Sequence, residues 1–76
     1  MSNYIISFKD TATPEQIQEF QNEVTSGGGE LKHTFKLNPG FSAKIQPQTL
    51  QAFKEKASLS DSIIASIEED GVVTTQ

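Results

Sequence analysis

Apolar positions along this chain recur with two different periods, and the switches between them mark successive elements. Tyr4, Ile6 and Phe8 alternate with Ile5 and Ser7. A period of two in β-branched and aromatic residues predicts a strand over Asn3 to Lys9. Ile5 on the second face points to a central strand, or to one covered on both faces in some state. Asp10 to Ala12 reads as a turn. Thr13-Pro14-Glu15-Gln16 reads as a helix start. The threonine hydroxyl can cap, proline's missing N–H costs nothing in the first turn, and Gln16 sits three residues after the cap, as a capping box requires. Ile17, Phe20 and Val24 then recur at helical spacing, with Glu15, Gln18, Glu19 and Glu23 toward water. Gly27-Gly28-Gly29 closes the helix, because glycine accepts the left-handed backbone of a C-terminal cap.

The period then returns to two. Leu31, His33, Phe35 and Leu37 alternate with Lys32, Thr34 and Lys36, which predicts a second strand. Asn38-Pro39-Gly40 is a turn, and Phe41, Ala43 and Ile45 alternate with Ser42 and Lys44 in a third strand. So short a connection makes the second and third strands an antiparallel hairpin. Gln46-Pro47 opens a second helix with Leu50, Phe53 and Ala57 on its buried stripe and Gln51, Lys54 and Glu55 toward solvent. After the polar break from Ser58 to Asp61, Ile63 and Ile64 lead into a fourth strand. Its pleat is expected to put Ala65 and Ile67 on one face and Ser66 and Glu68 on the other. The order βαββαβ, with right-handed crossovers, places both helices on one face of a four-stranded antiparallel sheet. This is the α+β, ferredoxin-like architecture. The other sheet face is left open and is the obvious docking surface.

Composition narrows what such a domain does. With 76 residues there is room for one domain, spanning 1–76, that buries only about 60% of the surface its unfolded chain exposes. There is no cysteine, hence no disulfide and no thiolate metal site. No basic, apolar leader precedes Tyr4, and no apolar run nears the ~18 residues that cross a bilayer. The expected setting is therefore the cytoplasm, with no membrane partner. A net charge of −4 and a pI near 4.7 oppose a nucleic-acid partner, which would need a basic patch. All six basic residues are lysines, so no arginine fork is present for phosphate or carboxylate.

Three features could carry chemistry. The glycine triplet is no phosphate loop, since no Gly-Lys-Ser/Thr follows and no helix begins there. His33, the one histidine, lacks the neighbouring carboxylate, nucleophile or further ligands of a catalytic or metal site, and is expected near a sheet edge or partner surface. The terminal stretch is the most informative. Glu68 and Asp70 share a pleat face about 6–7 Å apart. They could act as paired acids, or cap positive helix N-termini on a partner. Paired acids need a concave site with positioning groups, and an open sheet offers little concavity. Beyond Gly71, the run Val72-Val73-Thr74-Thr75-Gln76 is uncharged in its side chains and β-prone. It is either a frayed terminus or a strand to be added to another protein's cleft.

Taken together, these residues resemble a known family. Tyr4-Ile5-Ile6-Ser7-Phe8-Lys9, Gly28-Gly29 before an apolar strand, and Asp61 to Asp70 followed by Val72-Val73 are similar to the propeptides of subtilisin-type serine proteases. They are more similar still to the free-standing fungal inhibitors of that family. The likeness runs the length of the chain. It implies an inhibitor and no enzyme, with no cofactor or metal, forming a 1:1 complex with a subtilisin-like serine protease, which in the cell could be a vacuolar one; a monomer is the default for the free protein. It further implies that the open sheet packs on two surface helices of the protease, with Glu68 and Asp70 as their caps. Gly71 would be the hinge, Val73 would fill an apolar subsite with Val72 just outside it, and Val73-Thr74-Thr75-Gln76 would lie in the substrate cleft. Gln76 would enter the primary pocket. Gly71 and the terminal amide side chain depart from the bacterial propeptides, where bulkier and apolar residues stand.

Other uses of the same fold fit less well. A protease propeptide acting as a folding helper is disfavoured by Met1 just before the first strand and by the end at Gln76. A phosphate-binding enzyme of acylphosphatase type would require the missing arginine. A metallochaperone would require Cys-x-x-Cys, and an RNA-binding module an aromatic and basic strand pattern. A plain interaction domain with an unstructured tail is the remaining alternative.

Overall fold

The computed structural model describes residues 2–35 and 38–69. The elements follow the expected order: β1 (Ser2–Phe8), α1 (Pro14–Ser26), β2 (Glu30–Thr34), β3 (Gly40–Ile45), α2 (Pro47–Ala57) and β4 (Ile64–Glu69). Local chemistry starts and stops them. Thr13 Oγ1 accepts from the Gln16 backbone N–H at 3.1 Å, and Gln16 Oε1 accepts from the Thr13 N–H at 2.9 Å, completing the capping box. Pro14 and Pro47 both occupy first helical turns. Lys54 and Lys56 lie in the last turn of α2, where the helix dipole favours cations. At the end of α1 it is Gly28, with φ +88°, that takes the left-handed conformation.

The strands form one antiparallel sheet in the order β2-β3-β1-β4, so β1 is central, as Ile5 suggested. Ile6, Phe8, Phe41, Ala43, Ile45 and Ile64 project from one face and meet Val24 of α1 and Leu50 and Phe53 of α2. The fold is ferredoxin-like, with both helices on that face. Phe20 joins the layers, its ring 5.3 Å from Phe8 and 5.1 Å from Phe53. Phe41, Phe53 and Ile6 are fully buried, each contributing about 1.5–3 kcal/mol relative to exposure. On the outside, Lys56 ties the helices together through Glu23 at 2.8 Å and the Phe20 ring at 5.0 Å.

The register breaks twice, and each break corrects an expectation from the sequence. Leu31 pairs with Ala43 and His33 with Ser42, so Lys32 is an extra residue in β2. This bulge puts His33 on the face opposite Leu31, where simple alternation had kept them together. Thr34 takes the helix side instead, and its Oγ1 accepts from the buried Gln21 amide at 3.2 Å. Lys36 and Leu37, expected to prolong this strand, lie outside the described residues. In β4, Ser7 pairs with Ser66 and Phe8 with Ile64, so Ala65 is the extra residue. Ile64 fills the core position expected of Ala65, which is exposed.

Gly29 sets where β2 begins. A Cβ there would collide with the Lys44 carbonyl oxygen and lie 2.9 Å from Val24 Cγ1. Gly29→Ala is expected to destabilise the fold by about 1–3 kcal/mol, as overpacking does. For a domain of this size that lowers the melting midpoint by about 4–8 °C per kcal/mol, which a thermal melt followed by circular dichroism measures.

Candidate functional site

The face away from the helices is built by register. Cross-strand partners project to the same side, so the pairings define rows running from β4 to β2. One row is Glu68, Ile5, Ser42 and His33. The next is Ser66, Ser7 and Gly40, extended by Phe35, whose N–H donates to the Gly40 carbonyl at 3.0 Å. On the other side lie Asn3, Lys44 and Glu30. At about 4.8 Å per strand, the row from Glu68 to His33 spans about 14 Å.

These side chains differ sharply from those on the helix side. Serines and Gly40 hold the middle, and Ile5 is the one aliphatic side chain among these rows, half-buried on the central strand. The Phe35 and His33 rings lie together at the β2 side, 5.5 Å apart and tilted by 55°. Phe35 can settle there because Gly40 has no side chain; its Cδ2 lies 3.2 Å from where a Cβ would be. Charged groups ring the patch. Glu68 is exposed at the β4 side, Lys44 is half-buried on β3, and Lys32 Nζ lies 3.3 Å from Glu30 Oε1. Ile5 and the aromatic pair set among serines, with charges around them, make a surface of mixed apolar and polar character, as non-obligate protein interfaces are.

Of the residues singled out from the sequence, Glu68 stands on this face, opposite Ile5. Asp70, Gly71, Val72, Val73, Thr74, Thr75 and Gln76 lie outside the described residues. Three members of the face, Ile5, Lys44 and Phe35, were not singled out as site residues, whereas His33 was expected near a sheet edge and lies in the edge strand β2. Ile5 was signalled by an apolar residue on the second face of a strand. Lys44 was legible from its alternation with Ala43 and Ile45. The pairing of His33 with Phe35 above Gly40 depends on the bulge at Lys32, which no local pattern announces. Among the described residues, no three His, Cys, Asp or Glu side chains lie close enough together to hold a metal ion.

Fold and face together define a ferredoxin-like domain whose sheet carries both helices on one side and leaves the other bare. No family model matches the chain. Over 75 residues it is 36% identical to serine proteinase inhibitor IA-1 of Pleurotus ostreatus, covering 96% of this chain and 95% of that protein. Over 73 residues it is 30% identical to protease B inhibitor 2 of Saccharomyces cerevisiae, covering 96% and 95%. The chain belongs to the family of free-standing, subtilisin propeptide-like proteinase inhibitors.

The two faces of β1 make different demands on neighbouring isoleucines. Ile6→Ala is expected to cost about 2–5 kcal/mol, as for a fully buried aliphatic side chain. Ile5→Ala is expected to cost about 1 kcal/mol or less, the smaller loss from a half-exposed site. Urea unfolding midpoints of the two variants check the assignment, and equal losses would contradict it.

Proposed function

We propose that this protein inhibits a subtilisin-like serine protease by inserting its C-terminal segment into the substrate cleft while the open sheet face holds the complex together. What carries the proposal is end-to-end similarity to proteins named as proteinase inhibitors, joined to the position of Glu68 on the open face. Val73 to Gln76 lies in the cleft as an extended strand, like a product, with Gln76 in the primary pocket and Val73 in an apolar subsite. Val72 stays just outside that subsite, and Gly71 turns the chain from sheet to cleft. Glu68 and Asp70 cap helices on the protease surface, where unsatisfied N–H groups and the helix dipole attract anions. The complex is 1:1.

Affinity follows from the linkage of two weak contacts. A short peptide product leaves a cleft readily, because its few contacts must offset the freedom it loses. The folded domain, docked through Ile5 and its neighbours, holds the tail at high local concentration, so the two contacts act as one tight site. Inhibition on this account requires the domain to be folded.

Deleting Val73 to Gln76, or making Val73→Asp, is expected to weaken inhibition of subtilisin more than tenfold, while the circular dichroism spectrum stays that of the parent. Progress curves with a chromogenic peptide substrate measure this, and unchanged inhibition constants would exclude insertion of the tail. Glu68→Ala with Asp70→Ala should weaken binding by about 2–5-fold per carboxylate at low salt, and by less at high salt, since exposed helix-terminus contacts are screened. A loss independent of salt would assign those residues a packing role instead.

A further inference from the structure

The helix side of the molecule carries a second surface, which inhibition through the open face and the tail does not use. A groove of about 350 Å³ opens where α1, the end of α2 and the start of β4 meet. Its apolar lining comes from three places in the chain: Phe20 of α1, Leu59 in the turn after α2, and Ile63 just before β4. Leu59 is 58% exposed and is the one large apolar side chain so exposed among the described residues. The turn does not require a leucine there. Its N–H donates to the Lys56 carbonyl and its carbonyl accepts from the Ser62 N–H, contacts that another residue type would supply equally well. Phe20 and Ile63 are only partly buried, so all three residues leave apolar surface toward the groove.

Three charged side chains line the same groove: Glu19, Asp61 and Lys56. Lys56 is already engaged, its Nζ 2.8 Å from Glu23 Oε2 and 5.0 Å from the centre of the Phe20 ring. Among the described residues, Glu19 and Asp61 have no ion-pair partner. The Lys9 N–H donates to the Ile63 carbonyl, but the alternation of β1, continued one residue beyond Phe8, places Lys9 toward the open face. The uncompensated charge of the groove is therefore negative. Lys56 shows what such a place accommodates, an ammonium group over an aromatic ring with a carboxylate beside it. We propose that this groove binds a basic, apolar segment of a protein other than the protease. An apolar side chain of that segment packs on Phe20, Leu59 and Ile63, and a lysine or arginine pairs with Glu19 and Asp61. The chain's own terminal segment suits the place poorly, because Asp70 would meet like charges. Ile5, Ser42 and Glu68 stand on the opposite side of the sheet, so a segment bound here leaves the open face free.

Two capped peptides test the groove, acetyl-Lys-Leu-Leu-Lys-amide and acetyl-Glu-Leu-Leu-Glu-amide. Each is titrated into the isotope-labelled protein alone and followed by amide NMR shifts. The basic peptide is expected to bind with a dissociation constant of about 1 mM, since the few contacts of a short peptide must offset the freedom it loses. It should shift the amides of Glu19, Leu59 and Ile63 and leave those of Ile5 and Ser42 in place. The acidic peptide should bind at least about fivefold more weakly, with the difference shrinking at high salt. Leu59→Ser should weaken the basic peptide about 3–10-fold through lost apolar contact. Glu19→Gln with Asp61→Asn should bring the two peptides to the same affinity. Equal binding of both peptides by the parent, shifts centred on the open face, or no shifts at about tenfold the expected dissociation constant would overturn the proposal. Shifts at Leu59 and Ile63 on concentrating the protein without peptide would also overturn it, by showing a second copy as the occupant. Progress curves keep the groove apart from inhibition: Leu59→Ser is expected to inhibit subtilisin as the parent does, and a weaker inhibitor would place the groove in the protease contact and overturn its assignment to another partner. A parent that fails to inhibit removes the inhibitor reading alone, because the peptide titration is made without protease.

Discussion

Phe20 is wedged between Phe8 of the central strand and Phe53 of the second helix, and this aromatic chain is the contact on which the rest depends. It draws both helices onto the same side of the sheet. Once Phe8, Phe41, Ile6 and Ile45 are committed to that side, pleat alternation leaves Ser7, Ser42, Lys44 and Ile5 for the other. The character of the exposed face is thus a consequence of the core. The side chains that stabilise the fold and those left exposed thus lie on opposite sides of the same strands. If the open face binds the protease as proposed, a substitution at Ser42 or Ile5 changes recognition with little effect on what folds the domain.

Such a division suits an inhibitor whose reactive segment is short. A tail that must be extended in its target cannot contribute much to its own folding, and the domain cannot draw stability from it. The buried cluster on the helix side supplies that stability independently. In the proposed mechanism Ile5 and its polar neighbours serve association, and the tail serves occupancy of the cleft.

Much of the fold was legible in the residues themselves. Thr13, Pro14 and Gln16 announced the first helix, and the structure shows the capping box they imply. Period two in Tyr4-Ile6-Phe8 and in Phe41-Ala43-Ile45 placed the central strands on their correct faces. Sequence alternation failed in the outer strands, where Lys32 and Ala65 are each inserted without a counterpart on the neighbouring strand. A bulge is decided by pairing with a partner strand, so period counting along one strand does not detect it. Gln21 was missed as a core residue for a related reason: its amide is buried against Thr34, which reached that side through the bulge. Glu68 was placed on its face by alternation with Ile67, because pairing is regular from Ser66 to Glu69 and the extra residue, Ala65, lies before that run. His33, expected near a sheet edge or partner surface, does lie in the edge strand β2, but on the face opposite Leu31, because the bulge at Lys32 falls between them.

The two bulges have an effect beyond redirecting side chains. Both occur in the outermost strands, β2 and β4, whose outward backbone groups would otherwise be templates for another strand. An extra residue twists such an edge away from flat pairing, and a charged side chain at the same place, Lys32 in β2, repels a second copy. The sheet is thereby closed to sideways growth without being closed into a barrel. For a small domain with one bare sheet face, this separates exposure of the face from fibril formation: on the proposed mechanism contact is made through the face, while the irregular edges disfavour extension of the sheet.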